Sequence, residues 1–360
     1  MTMLALVELL RELVELESPT GSAGTGAVAA RLAEELERLG GTADLLAGNH
    51  LRAELHGSGE PLLLTGHVDT VWPKGTLEAM PFRVEGDYAF GPGVYDMKAS
   101  LVELVEAIRR AGTERRALRV VLTADEEQGS ATGRVPLEEA ARGVAAAFVV
   151  EPPTPDGNLK TARKGLGSFT LTVSGRAAHA GTHREEGVSA IEELAHQIRA
   201  LHALNDEEGG LSVNVGVIEG GTAENVVPAL AQARIDVRIV HEADRVRFEQ
   251  AVKELRTVDP EADLRIEGGW TRPPLERSEG TARLFAQARA HGRRLGLDLA
   301  EKASGGGSDG NLIAALGVPV LDGLGVEGGG AHSAGEHVDL RSLPVRAELL
   351  AQLLQDPGLP

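Results

Sequence analysis

No cysteine occurs in the 360 residues, which excludes disulfides, thiolate metal sites and cysteine nucleophiles and agrees with a reducing compartment. Long apolar runs are missing too, and none reaches the length needed to cross a bilayer. The opening stretch, residues 1–18, has no basic start, and Glu8, Arg11, Glu12 and Glu15 interrupt its apolar pattern. It reads as an amphipathic helix rather than a signal peptide. Positive charge is in deficit: 36 Lys and Arg against 54 Asp and Glu leave a formal charge of −18, a field that repels nucleic-acid phosphates and anionic lipid surfaces. A soluble cytoplasmic protein with no nucleic-acid or membrane partner is expected.

The chain is too long for one ordinary domain and suggests a large domain plus a smaller one. Much of the surplus acid lies in helical runs such as residues 31–38, which read as solvated faces. Helices are expected at 4–16 and 28–39, the second stopped by Gly40-Gly41. Strand-like runs follow at 61–65, 118–123 and 145–150, with helices at 97–110 and 137–142 between them. That alternation predicts an α/β fold whose mixed, mostly parallel sheet is flanked by helices. From about Gly165 the pattern changes to strands at 168–174, 211–218, 231–240 and 264–267 with helices at 188–204 and 243–255, an α+β unit of normal small-domain size. After Pro273-Pro274 a helix at 278–295, a Gly-rich turn, a helix at 311–316 and a strand at 318–321 resume the first pattern. The expected organisation is one domain in two parts, 1–164 and 274–360, with a second domain inserted at 165–273.

Chemistry-bearing residues fall just beyond the predicted strands. His67 and Asp69 follow one strand, Glu126 and Glu127 another, and Glu151 ends a third; Asp96 and His332 lie further along the chain. Open α/β sheets bind ligands beyond that carboxyl edge, so distant segments can converge there. Two imidazoles and three carboxylates suit a pair of zinc ions, and paired ions lie roughly 3.5–4 Å apart, close enough to share a carboxylate. Asp96 is the candidate bridge, one ion taking His67 and Glu151 and the other Glu127 and His332. Asp69, two residues from His67, is placed to orient that imidazole. Glu126 is left to take a proton from metal-bound water and deliver it to a leaving amine, which implies amide hydrolysis. Taken singly, His-x-Asp and adjacent glutamates arise by chance. Gly305-Gly306-Gly307 lacks the following Gly-Lys-Ser/Thr of a phosphate loop. The other histidines, including His50, read as surface or helix-face residues, with His183 and His337 unassigned.

The segments Thr65-Gly66-His67-Val68-Asp69-Thr70-Val71, Gly91-Pro92-Gly93-Val94-Tyr95-Asp96-Met97-Lys98 and Asp125-Glu126-Glu127-Gln128-Gly129-Ser130 resemble those of the M20 family of zinc metallopeptidases, most of all its glutamate carboxypeptidase branch. The resemblance extends over nearly the whole chain. It implies two zinc ions per subunit, replaceable by cobalt or manganese, on His67, Asp96, Glu127, Glu151 and His332, with Glu126 as general base and Asp69 as the histidine-orienting acid. It also implies that the inserted domain is both lid and homodimer interface. There His179, in Ser174-Gly175-Arg176-Ala177-Ala178-His179-Ala180-Gly181, would reach the partner's site and stabilise the oxyanion, and Asn225, Arg238 and Arg272 would anchor substrate. Arg238 read without the resemblance is a strand-surface charge. The chain departs from the family pattern at Met97, Lys98, Ala99 and Ser100. Which of Lys160, Arg163 and Lys164 meets substrate depends on where an alignment gap is placed. The implied activity is release of a C-terminal amino acid, possibly glutamate. An N-acyl-amino-acid deacylase shares all the metal chemistry, and a catalytically silent dimeric binding scaffold is the alternative from another class.

Overall fold

The computed structural model describes residues 1–206, 208–356 and 358. The chain forms two compact units: Met1–Arg163, Leu275–Ser304 and the chain from Ser308 onward make the first, and Lys164–Pro274 with Gly305–Gly307 the second. The tip of the Gly-rich turn therefore groups with the inserted unit.

The first unit is built on a six-stranded sheet in the order Thr42–Leu45, Leu51–Leu55, Arg116–Thr123, Ser58–His67, Ala146–Val149, Val320–Leu321. Its last four strands run parallel and the first two pair antiparallel. Alternation along each strand serves two cores. Leu62, Leu64, Val120, Leu122 and Phe148 face one cluster, while Leu63, Val121, Ala147 and Val149 face another, as successive side chains on a pleated strand must. Burial on both faces explains why these strands read as continuous apolar runs. The larger core is covered by Met3–Glu15, Ala23–Arg38, Ala99–Ala111, Glu279–Arg294 and Ser342–Gln355, and the smaller by Arg134–Ala141 and Asp309–Ala314.

A smaller antiparallel sheet joins distant parts of the same unit, in the order Gly328–Gly329, His337–Asp339, Tyr88–Phe90, Arg83–Glu85. Its pairs Val338↔Ala89 and Gly328↔Val338 bring the segment around His332 to the one that leads into Asp96. No run in the sequence announced these short strands.

The helix expected from Met97 begins at Ala99 instead. Asp96 (φ −116°, ψ 91°) and Met97 (φ −136°, ψ 34°) are non-helical, and the peptide joining them is cis. Ala99–Ala111 is buried on nearly every side, including Glu103 and Glu106. Glu106 is satisfied by the N-terminal ammonium, Arg109 and Arg110. Neither Glu103 oxygen has a hydrogen-bond partner, and burial, only partly offset by Arg346, raises its pKa well above the ordinary 4.5.

A carboxyl with a raised folded pKa stabilises fully below its unfolded pKa, and that contribution is lost as pH rises towards the folded value. Glu103→Gln is therefore expected to match the parent below about pH 4.5 and to become progressively more stable than the parent as pH rises to 8. Urea midpoints across that range check this; an offset that does not change with pH would refute it.

The second unit is a four-stranded antiparallel sheet, Ser212–Gly220, Leu230–Ile239, Gly165–Ser174, Asp263–Arg272 in spatial order. The helices Ala190–His202 and Glu242–Glu254 contribute to its core. In Leu230–Ile239 buried and exposed positions alternate, so one face, through Ala233, Ile235 and Val237, joins Leu194, Leu201 and Phe248 in that core.

Candidate metal centre and active site

Strand register sets the framework. His67 lies opposite Thr123, and Thr65 opposite Val149, so three parallel strands end side by side where His67, Glu126-Glu127 and Glu151 follow. The chain leaves Arg116–Thr123 through a single 3-10 turn, Glu126–Gln128. Asp69, fully buried, holds that turn: its carboxylate accepts the backbone N–H groups of Glu126 and Glu127, each at 3.2 Å, and the Thr20 hydroxyl at 2.7 Å. His67 Nδ1 lies 3.0 Å from the Asp69 carbonyl oxygen and 3.4 Å from carboxylate Oδ1. The tighter partner of the ring is thus the backbone, while the side chain also positions the neighbouring turn.

With Nδ1 so engaged, Nε2 of His67 points at Asp96 Oδ1 (3.1 Å) and Glu151 Oε1 (3.7 Å). His332 Nε2 lies 3.3 Å from Asp96 Oδ2 and 3.4 Å from Glu127 Oε1. In each of the groups His67, Asp96, Glu151 and Asp96, Glu127, His332, the donor atoms lie within 4.8 Å of one another. Asp96 belongs to both, one oxygen to each side.

The electrostatics show how crowded the site is. Burial raises Glu127 to about 7 despite His67 and His332, with Asp96 adding to the rise. Burial also raises Glu151, Asp96 again contributing. Asp96 itself is held well below the usual range: burial opposes this, but the two imidazoles outweigh it. His332 rises to about 9, chiefly through Asp96. Glu127 Oε1 is buried with no hydrogen-bond partner. Converging imidazole nitrogens and carboxylate oxygens, one of them without a donor, form a set that fits borderline divalent cations such as zinc.

Several buried polar residues, none marked by a periodic pattern along the chain, support these segments. His50, expected at a surface or helix face, is instead 1% exposed. Its Nδ1 accepts the Ala124 N–H at 3.0 Å and its Nε2 meets the Thr132 hydroxyl at 3.0 Å, beneath the Glu126 turn. Asp309 accepts the hydroxyls of Thr123 (2.6 Å) and Ser130 on either side of that turn.

Arg163 is also internal. Its fork donates twice to Asp322, each bond 2.7 Å, and lies 3.7 Å from Glu151 Oε2. Lys160 donates to the Pro152 carbonyl at 2.7 Å. Met97 Sδ accepts the His67 N–H, and buried Lys98 donates to the Leu16 carbonyl. Packing thus occupies both side chains at this departure from the family pattern.

The remaining candidates lie in the second unit. His179 and Asn225 sit together, through the His179↔Val226 bridge and the bond from Ala180 N–H to the Asn225 carbonyl. The backbone N–H groups of Gly181 and Thr182 both donate to His179 Nδ1, which leaves the proton of the neutral ring on the exposed Nε2. Arg238 donates to Asp236 (2.8 Å) and to the Gly305 carbonyl (3.1 Å). Buried Arg272 passes so close to Gly307 that a Cβ there would lie 2.7 Å from Arg272 Cδ. Both arginines therefore abut the same glycine turn.

Residues 63–356 match the model of peptidase family M20/M25/M40, and the chain belongs to that family. It is an enzyme of the peptidase and amidohydrolase kind. Carboxypeptidase G2 of Pseudomonas sp. (strain RS-16) is 33% identical over 98% of this chain and 89% of its own. Succinyl-diaminopimelate desuccinylase of Xanthomonas oryzae pv. oryzae is 32% identical over 83% and 85%. Among solved structures, a tripeptidase from Staphylococcus aureus superposes with a TM-score of 0.82 at 24% identity, covering 98% of both chains; that likeness concerns the fold. No helix among the described residues is long and apolar enough to cross a membrane.

Proposed function

We propose that this chain is a dinuclear zinc carboxypeptidase, a cytoplasmic homodimer that hydrolyses an amide bond and releases a C-terminal amino acid, glutamate being the first candidate. The observation that carries the reading is the pair of ligand groups sharing Asp96, with Glu126 beside them on the same turn as Glu127. The relative named carboxypeptidase G2 supports the choice of reaction. His67, Asp96 and Glu151 would hold one ion and Asp96, Glu127 and His332 the other. When bound, the pair supplies Lewis acidity and lowers the pKa of water.

The protein's own groups do the rest. Glu126 accepts a proton from the attacking water and returns it to the leaving nitrogen. Asp69 keeps His67 and the Glu126 turn in register through the bonds described above. His179 Nε2–H is the donor for the oxyanion that develops on the scissile carbonyl. Asn225, Arg238 and Arg272 receive the substrate carboxylate, for which a guanidinium fork is the matching shape. Dimerisation through the inserted unit would bring His179 to the partner's site.

A deacylase is the second reading, favoured by the similarity to a desuccinylase. A panel of dipeptides and N-acyl amino acids, assayed for free amino acid after loading with zinc and again after chelation, separates the readings. Preferential, chelator-sensitive release of C-terminal glutamate is the expected result. Preference for N-acylated basic or neutral amino acids would replace it with the deacylase. Ligand binding without metal-dependent turnover would leave a scaffold.

A further inference from the structure

Glu336 lies four residues beyond His332 and is completely buried, where an unpaired carboxylate would be costly. It is fully engaged. Oε2 accepts Trp72 Nε1–H (2.7 Å) and the Gly93 N–H (3.0 Å), while Oε1 accepts the N–H groups of Tyr95 (2.9 Å) and Asp96 (3.0 Å). Four donors match the roughly four lone-pair sites of a carboxylate. Three of the donors are backbone groups of the irregular loop that presents Asp96. No regular helix supplies them with acceptors there, because Asp96 and Met97 leave helical geometry. Gly93, at φ +71°, opens the loop so close to Thr70 that a Cβ would lie 2.4 Å from its methyl carbon.

Two consecutive turns connect His332 to Glu336: the Ser333 N–H donates to the Gly330 carbonyl around His332, and the Glu336 N–H donates to the Ser333 carbonyl. One side chain therefore ties the backbone of Asp96 to the loop carrying His332. We propose that Glu336 is a positioning residue that fixes Asp96 relative to His332, and so sets the affinity and geometry of the ion held by Asp96, Glu127 and His332. This rests on the metal-centre reading above. Nothing in the role needs Glu336 to touch an ion or substrate. It needs four acceptor sites at one place, which glutamine cannot offer, because its amide nitrogen would face two of the N–H donors.

The test titrates metal-free full-length protein with cobalt(II) alone, following the visible absorption of the bound ion, and compares the parent with Glu336→Gln, Glu336→Asp and Trp72→Phe. Two ions are expected on the parent. Glu336→Gln should weaken the ion held by Asp96, Glu127 and His332 by roughly 10–100-fold, the scale on which outer partners of ligands act, and alter its spectrum, with a smaller effect on the other ion, which shares Asp96 but not the His332 loop. The same variant should lower kcat with KM nearly unchanged. Trp72→Phe, which removes one donor and keeps the carboxylate, should give a smaller shift in the same ion. If Glu336→Gln does not fold, Glu336→Asp and Trp72→Phe carry the comparison. Parent-like affinities and spectra in the folded variants would overturn the role of Glu336 and leave the metal centre standing. A parent that binds no pair of ions would overturn both, and the parent titration alone distinguishes the two failures.

Discussion

Glu126→Gln is expected to lower turnover by about 10²–10⁴-fold, the usual contribution of a positioned proton carrier, while the protein still binds two zinc ions. The substitution keeps shape and removes only the group that accepts a proton. The turn itself is held by Asp69 through the backbone N–H groups of Glu126 and Glu127, bonds that a side-chain change leaves in place. Metal analysis of the purified variant together with kcat on the best substrate of the panel checks both halves. Activity within a few-fold of the parent would remove Glu126 from its role. Loss of metal along with activity would recast it as a ligand.

Asp96→Ala should do the opposite and empty the centre. One of its oxygens faces His67 and the other His332, so removing it takes a ligand from both groups at once. The loss of affinity should exceed the roughly 10–100-fold that follows removal of an outer partner. It should fall on both ions, whereas His332→Ala should weaken mainly one. Stoichiometry by metal analysis after dialysis gives the answer. Retention of two tightly held ions by Asp96→Ala would exclude it as the bridge. The fold should survive, because Asp96 sits in a loop and the cores are built from other residues.

The parallel strands were legible because burial on two faces leaves an unbroken apolar run, and acids or a histidine follow each run at once. His67, Glu127 and Glu151 could therefore be placed at one edge from sequence. The helix Ser342–Gln355 was not anticipated. Leu343, Arg346, Ala347, Leu349, Leu350, Ala351, Leu353 and Leu354 are all buried, and a helix enclosed on most sides loses the one-sided stripe that marks an amphipathic one.

Supporting groups stayed hidden for a different reason. Glu336 and Asp309 have partners more than 150 residues away in the chain, and no local pattern encodes such a pairing. Arg163 was one of three basic residues considered for substrate, yet its guanidinium is bound to Asp322. Composition and position along the chain cannot tell an internal ion pair from an outward one.

The insertion of Lys164–Pro274 between Glu151 and His332 also bears on how the protein is made. A chain emerging from a ribosome exposes His67, Asp96, Glu127 and Glu151 first, and domains tend to fold as they appear. The entire second unit must then be synthesised before His332 and Glu336 arrive. Until then the chain holds Asp96 and Glu127 without the imidazole of their group and without the carboxylate that bonds to the Asp96 loop. The group of His67, Asp96 and Glu151 is thus complete in the chain before the insertion is made, whereas the group of Asp96, Glu127 and His332 gains its imidazole only afterwards, so the two halves of the centre are completed at different stages of synthesis.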